Sequence, residues 1–225
     1  MVFLTAHDPP ATSMHMTNLK RVCVYCGSGH GINPAYEAAA SEFGRALAEE
    51  GLELVYGGGS VGLMGTLAHS VLSAGGIVTG VSPQFLKDRE VMLNDVTELV
   101  TTTDMHERKR IMFERADAFV ALPGGVGTLE EVVEMMTWAQ LGQHEKPILL
   151  ANIEGFWEPL TVLLSHMRQE AFLRPGLDVT FVVADRTADV IPRLRPPTAR
   201  PPPPAATGPT AAAVDRLPRA DRYAR

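Results

Sequence analysis

The stretch Leu122-Pro123-Gly124-Gly125-Val126-Gly127-Thr128-Leu129-Glu130-Glu131 holds residue types able to do chemistry at a spacing that invites it. It follows the apolar run 118–122, which reads as a buried strand, and opens the periodic segment 129–141, which reads as a helix. A glycine-rich turn between a strand and a helix N-terminus is an anion site. The backbone can approach a ligand closely, and the free N–H groups of the first turn, with the helix dipole, favour a phosphate. Thr128 adds a hydroxyl donor. Glu130 and Glu131 pull the other way, because a carboxylate there repels a bound phosphate. Two readings account for them: helix capping, or an acid held beside the sugar of a phosphorylated ligand.

A second cluster, His106-Glu107-Arg108-Lys109-Arg110, begins a helix expected over 105–116. Cations at a helix start oppose the dipole, so the cluster points to a compensating anion. The plainer alternative is a solvated face paired with Glu107 and Glu114.

The elements that must position these residues alternate. Segments 21–25, 52–56, 77–81, 98–102, 118–122, 147–151 and 179–184 read as strands, and 34–50, 63–73, 105–116, 129–141, 156–170 and 188–194 as helices. The alternation predicts an α/β, single-domain, Rossmann-like fold: a doubly wound parallel sheet with helices on both faces. Right-handed crossovers put every strand-to-helix loop on the carboxyl edge, so the turns at Gly27, Gly57, 103–108 and Pro123 are expected to meet at one cleft. Gly57-Gly58-Gly59 permit close approach of a ligand or of a neighbouring segment. The glycines lack G-x-G-x-x-G spacing and no acid ends the second strand, which disfavours a dinucleotide.

A chain of 225 residues fits one domain, expected over 19–195, between a disordered leader at 1–18 and a disordered Pro/Ala/Arg-rich tail at 196–225. The net charge of −6, from 20 Lys and Arg against 26 Asp and Glu, argues against a general nucleic-acid binder. No apolar run reaches membrane-spanning length and no signal core follows a basic start, so the expectation is a cytoplasmic protein with no membrane partner. Cys23 and Cys26 lie three apart within one strand and point to opposite faces, as small buried side chains rather than a redox pair. No His, Cys and carboxylate cluster has metal-ligand spacing, and His15 lacks a partner, so no metal is expected. The helix at 129–141 shows two apolar stripes, Leu129, Val132, Val133 and Met136 on one and Met135, Trp138 and Ala139 on the other. One packs on the sheet; the second implies a homodimer or cover by the chain's own C-terminal helix.

Pro123 to Glu131 fills the pattern Pro-Gly-Gly-x-Gly-Thr-x-x-Glu, and it is joined by Cys26-Gly27-Ser28, Val55-Tyr56-Gly57-Gly58-Gly59, Gly62-Leu63-Met64-Gly65, Met105-His106-Glu107-Arg108-Lys109 and Thr137-Trp138-Ala139-Gln140-Leu141-Gly142. Over residues 19–192 this order resembles the Lonely Guy family of cytokinin-activating phosphoribohydrolases, often mislabelled lysine decarboxylases. The resemblance implies hydrolysis of the N-glycosidic bond of N6-modified adenosine 5′-monophosphates, and of AMP, by a homodimer that needs no cofactor. It implies that Gly124, Gly125, Gly127 and Thr128 hold the 5′-phosphate, Glu131 is the catalytic carboxylate and Glu130 bonds the ribose. Arg108 becomes the catalytic cation and Lys109 its phosphate-binding neighbour. Ser28, Gly58, Val126, Leu129 and Thr137 complete the substrate contacts, with Glu90 from the polar segment 83–95. Val126 stands where relatives commonly carry an aromatic residue and Ser82 where they carry an aliphatic one, which loosens the preference for a modified purine. The rival reading is a non-catalytic nucleotide or molybdenum-cofactor carrier of the same fold, which does not need Arg108 together with Glu131. A pyridoxal-phosphate decarboxylase needs a Schiff-base lysine, and Lys109 alone falls in the expected cleft.

Overall fold

A computed structural model describes residues 19–87, 93, 95–173 and 178–195. The expected leader at 1–18, the expected tail at 196–225 and Glu90 lie outside the described residues. The described residues form seven parallel strands, β1 (Arg21–Tyr25), β2 (Glu53–Tyr56), β3 (Val78–Pro83), β4 (Glu98–Thr102), β5 (Ala118–Ala121), β6 (Ile148–Ala151) and β7 (Val182–Ala184), in the order β4-β3-β2-β1-β5-β6-β7. Between them run α1 (Pro34–Glu49), α2 (Gly62–Ser73), the single turn α3 (Gln84–Lys87), α4 (Met105–Arg115), α5 (Val126–Gln140), α6 (Glu158–Gln169) and α7 (Val190–Leu194). The doubly wound α/β architecture expected from the alternation is the one observed.

The sheet is buried on both faces, which is why its central strands read as nearly continuous apolar runs. Val22, Val24 and Cys26 face one core with Phe43 and Leu47 of α1 and Leu67 of α2. Cys23 and Tyr25 face the other, with Phe119, Met112 of α4, and Val132, Met135 and Met136 of α5. The two cysteines are free and buried on opposite faces. Each fully buried Phe or Leu contributes about 1.5–3 kcal/mol to that core.

Local signals set the helix starts. Asn33 accepts a hydrogen bond from the Ala35 N–H at 3.0 Å ahead of Pro34, and Asp104 accepts from the Glu107 N–H at 2.8 Å. Glu107 in turn accepts from the Thr103 N–H at 2.7 Å, closing a reciprocal cap on α4.

Three expectations need correction. First, α5 starts at Val126, three residues before the predicted Leu129, because the Leu129 N–H already bonds the Gly125 carbonyl at 3.0 Å. Second, its stripes divide differently: Val132, Met135 and Met136 are buried together, with Trp138 and Ala139 against the same core, while Leu129 and Val133 face outward. Third, a 3-10 turn at Ile153–Gly155 precedes the helix expected over 156–170, which is α6 with slightly shorter ends, and β7 spans only the last three residues of its predicted range.

Candidate active site

The chain runs outward from β1 to β4 on one side of the sheet, then returns to place β5 on the other side of β1. At such a reversal the two loops leave in opposite directions, and a crevice opens at the carboxyl ends of the strands. A cleft of about 310 Å³ lies there, lined by the end of β1, by Ser28, Gly57, Met64, Leu86 and Met105, and by Arg108 facing Gly125 to Thr128, Glu130 and Glu131. The turns are stitched together: the Gly27 N–H donates to the Pro123 carbonyl at 3.0 Å, and the Met64 N–H to the Gly27 carbonyl at 3.3 Å. The larger groove between α1 and α2, about 430 Å³, is lined by Arg45, His69, Ser70, Ser73 and Ala74 and holds no carboxylate.

Arg108 and Glu131, 23 residues apart in sequence, form the centre of the cleft. The guanidinium donates from Nη1 to Glu131 Oε1 at 2.7 Å and from Nε to the Val81 carbonyl at 3.1 Å. Both side chains are about nine-tenths buried. A Cβ on Gly57 would stand 2.4 Å from Arg108 Nη2, so this glycine clears the space that the guanidinium occupies. Burial drives the Glu131 carboxyl above the ordinary glutamate range, and Arg108 offsets that loss of hydration only in part. Removing one member of a buried pair strands the other and costs about 3–5 kcal/mol. A pair built at that risk is a candidate for chemistry rather than for support.

The N-terminus of α5, the helix that carries Glu131, lines the same cleft. Its cap residue, Gly125, supplies no side-chain hydrogen bond, and no acid lies in the first turn. Glu130 and Glu131 therefore do not cap the helix, and that alternative falls. The glycines of this turn have two different reasons. A Cβ on Gly124 would meet Thr128 Oγ1 at 2.2 Å and Gly27 N at 2.9 Å, so packing requires it. At Gly125 and Gly127 nothing lies within 4 Å, so the protein itself does not demand a glycine at either position. Their open backbone beside a bare helix start suits an anion. Buried Thr128 lines the same wall.

Other expected site residues are placed differently. Lys109, expected to bind the phosphate, does not line the cleft: its ammonium donates to Glu130 at 2.6 Å and Glu134 at 3.0 Å. Burial opposes its charge, but these two acids outweigh it and hold Lys109 above its ordinary value. Gly58, at φ 84°, is buried and accepts from the Leu93 N–H at 3.3 Å, outside the cleft lining. Leu129 and Thr137 lie on the exposed side of α5, with the Thr137 hydroxyl donating to the Val133 carbonyl at 2.8 Å. A solvated face describes Arg110, which pairs with Glu114 at 3.0 Å, but not Arg108. Sequence reasoning did not assign the apolar side of the cleft, Met64, Leu86 and Met105, although Met64 and Met105 lie in the motifs that carry the resemblance and each of the three lies at or near the start of a helix after a strand. Among the described residues no group of three His, Cys, Asp or Glu could hold a metal ion.

Fold and site together define an α/β protein in which an uncapped, glycine-rich helix start and a buried arginine–glutamate pair line one cleft. A family model described as "Possible lysine decarboxylase" matches residues 64–194. The chain is 44% identical over 178 residues to the rice protein named cytokinin riboside 5′-monophosphate phosphoribohydrolase LOG, covering 79% of this chain and 74% of that one. It is 43% identical to LOG7 of Arabidopsis thaliana, with 79% and 82% covered. The chain belongs to the Lonely Guy (LOG) family. Solved structures share the fold: the molybdenum cofactor carrier protein of Chlamydomonas reinhardtii is 24% identical with a TM-score of 0.58, covering 79% of this chain and 96% of that one. The molybdenum cofactor binding protein of Rippkaea orientalis is 25% identical with a TM-score of 0.57 over 79% and 96%. Among the described residues no lysine lines the cleft as a decarboxylase would need: Lys109 is held in ion pairs, and Lys146 lies on Phe113.

Proposed function

We infer that the protein hydrolyses the N-glycosidic bond of cytokinin riboside 5′-monophosphates, N6-modified adenosine 5′-monophosphates, releasing the free base and ribose 5-phosphate. The observation that carries this reading is the Arg108–Glu131 pair, buried and sharing one cleft with the uncapped start of α5. The 5′-phosphate sits on the N–H groups of Gly125, Gly127 and Thr128, with Gly124 shaping the turn. As the bond from C1′ to the base nitrogen breaks, its electrons leave with the base and positive charge builds on the sugar ring. The Glu131 carboxylate stabilises that charge and takes a proton from the water that attacks C1′; the departing base picks up a proton in exchange. Arg108 aims Glu131 and offsets part of the cost that burial places on its charge. Glu130, on the same wall, accepts from the ribose. Ser28 and Val126 line the remaining approach, and Leu86, Met64 and Met105 give the base an apolar side. Glu90 enters as a further substrate contact by resemblance alone.

AMP fits the same scheme, because no step uses the N6 substituent. We also propose a homodimer through α5. Val126, Leu129 and Val133 are 83%, 38% and 39% exposed along one face of that helix, an apolar strip that a second copy would cover. A monomeric mass by light scattering at micromolar concentration would remove this part. No helix among the described residues is long and apolar enough to cross a membrane, and the reading places the enzyme in the cytoplasm with free nucleotides.

Base release from isopentenyladenosine 5′-monophosphate tests the reaction. Glu131→Gln and Arg108→Ala should each lower turnover by about 10²–10⁴-fold while the protein stays folded by circular dichroism. Near-normal turnover in either variant excludes that residue from catalysis. Binding of AMP without any release of adenine by the wild-type protein would favour a carrier instead.

A further inference from the structure

Arg108 and Lys109 are adjacent on α4 yet serve different acids on α5. Arg108 bonds Glu131, whereas Lys109 bonds Glu130 at 2.6 Å and Glu134 at 3.0 Å. Glu130 and Glu134 are one helical turn apart, so their carboxylates share a face and one ammonium spans both. The three differ in burial: the Glu130 side chain is 51% exposed, Lys109 12% and Glu134 23%. Of the three, Glu130 alone lines the cleft.

A half-exposed carboxylate samples many rotamers, and an isolated surface ion pair restrains it weakly. Lys109 is a stronger restraint because it is itself held. Its ammonium is sunk between the two helices and bound from the inner side by Glu134. The second oxygen of Glu134, Oε2, is buried with no hydrogen-bond partner among the described residues. An unpaired buried carboxylate oxygen is unfavourable. The neighbouring inward positions of α5 are filled by Val132, Met135 and Met136, so packing alone does not call for an acid at position 134. The charge at Glu134 finds its use in anchoring Lys109.

We propose that Glu134 is a positioning residue: it fixes Lys109, and Lys109 holds the Glu130 carboxylate at the cleft wall, where it accepts a ribose hydroxyl. The proposal rests on the reading above that Glu130 faces the sugar, and it assigns Lys109 to the carboxylates rather than to the phosphate.

The test compares kcat/KM for isopentenyladenosine 5′-monophosphate with its 2′-deoxy and 3′-deoxy counterparts, using the purified full chain. A hydrogen bond to a charged group makes the wild-type enzyme prefer the ribonucleotide over one of the deoxy forms by about tenfold or more. Glu130→Gln removes most of that preference. Glu134→Gln and Lys109→Met lower it several-fold in the same direction, although neither residue touches substrate, and Lys109→Arg restores part of it. Thermal melts establish that each variant is folded. An unchanged preference in Glu134→Gln overturns the proposal, as does a loss of equal size on all three sugars. An equal loss in Lys109→Met alone would make Lys109 a phosphate ligand. Absence of any preference in the wild type also overturns the role given to Glu130 here, with hydrolysis itself intact. Release of base from none of the three nucleotides by the wild type would overturn this proposal and the hydrolase reading together.

Discussion

Two glycine turns face each other across the cleft, and they are glycine-rich for opposite reasons. Gly57 is required by the protein: its missing side chain is the space in which the Arg108 guanidinium sits. Gly125 and Gly127 are required by nothing in the protein, since a methyl group on either would meet open space. One turn shapes the Arg108–Glu131 pair from inside, and the other leaves its backbone open. A glycine motif is therefore two statements, one about folding and one about ligand, and only the surroundings of each Cα separate them.

The largest effect should come from the inner turn. Gly57→Ala puts a methyl group on the guanidinium, displaces Arg108 and uncouples it from Glu131. Turnover should fall by about 10²–10³-fold, close to the loss in Arg108→Ala, because an electrostatic contact that is misplaced is worth little more than one that is absent. Overpacking should also lower stability by about 1–3 kcal/mol. Steady-state kinetics and urea denaturation of the same preparation check both. Wild-type kcat in Gly57→Ala would mean that the arginine position does not matter.

The outer turn should respond with the opposite sign in stability. Gly127 lies inside α5, where alanine is favoured over glycine by about 0.5–1 kcal/mol. Gly127→Ala should therefore raise the melting temperature, by about 2–4 °C per kcal/mol for a domain of this size, while raising KM for the nucleotide about tenfold by keeping the phosphate off the backbone. A variant that is more stable and binds worse separates the two kinds of glycine cleanly. If Gly127→Ala bound substrate normally, the anion site would have to lie elsewhere. Thr128→Ala is a milder form of the same change, with a several-fold rise in KM and little change in kcat.

The parts of this arrangement legible in the sequence were those with a repeating cause. Strands covered on both faces announce themselves as apolar runs, and the strand-helix alternation implies parallel strands with their loops on one edge. That is how Arg108 and Glu131 could be assigned to one rim despite their separation. What spacing could not show is which cation meets which acid. Arg108 and Lys109 are neighbours on a helix and point about 100° apart, so their partners depend on the crossing of α4 and α5. The start of α5 was obscured by Val126-Gly127-Thr128, two β-branched residues around a glycine, which local propensity assigns to a loop. A stretch of weak helix formers fits the ligand-binding start proposed for α5, a place where local propensity is expected to mislead. The two stripes of α5 were misdivided because apolar residues fill most of the helix's circumference and period arithmetic alone cannot choose the sheet-facing set.

The smallest effect concerns the acid itself and separates the cleft from the capped start of α4. Burial raises Glu131 above the ordinary carboxyl value, whereas Asp104 and Glu107, which accept backbone hydrogen bonds at the surface, are lowered. The signs follow from proton linkage. The folded state holds a proton on Glu131 more tightly than the unfolded chain does, so its contribution to stability is full below the unfolded value and is lost as pH rises through the folded one. Asp104 and Glu107 contribute stability above their unfolded values and lose it as pH falls. The difference in unfolding free energy between wild type and Glu131→Gln, followed by denaturant titration over the acid range, isolates the first contribution because the capping acids cancel. That difference should decline for the wild type as pH rises across the window above the ordinary glutamate value. The acid limb of kcat/KM should fall in the same window, since activity needs the carboxylate. A limb at or below the ordinary glutamate value would mean that Arg108 outweighs burial, and that the pair is held ionised more firmly than its desolvation implies.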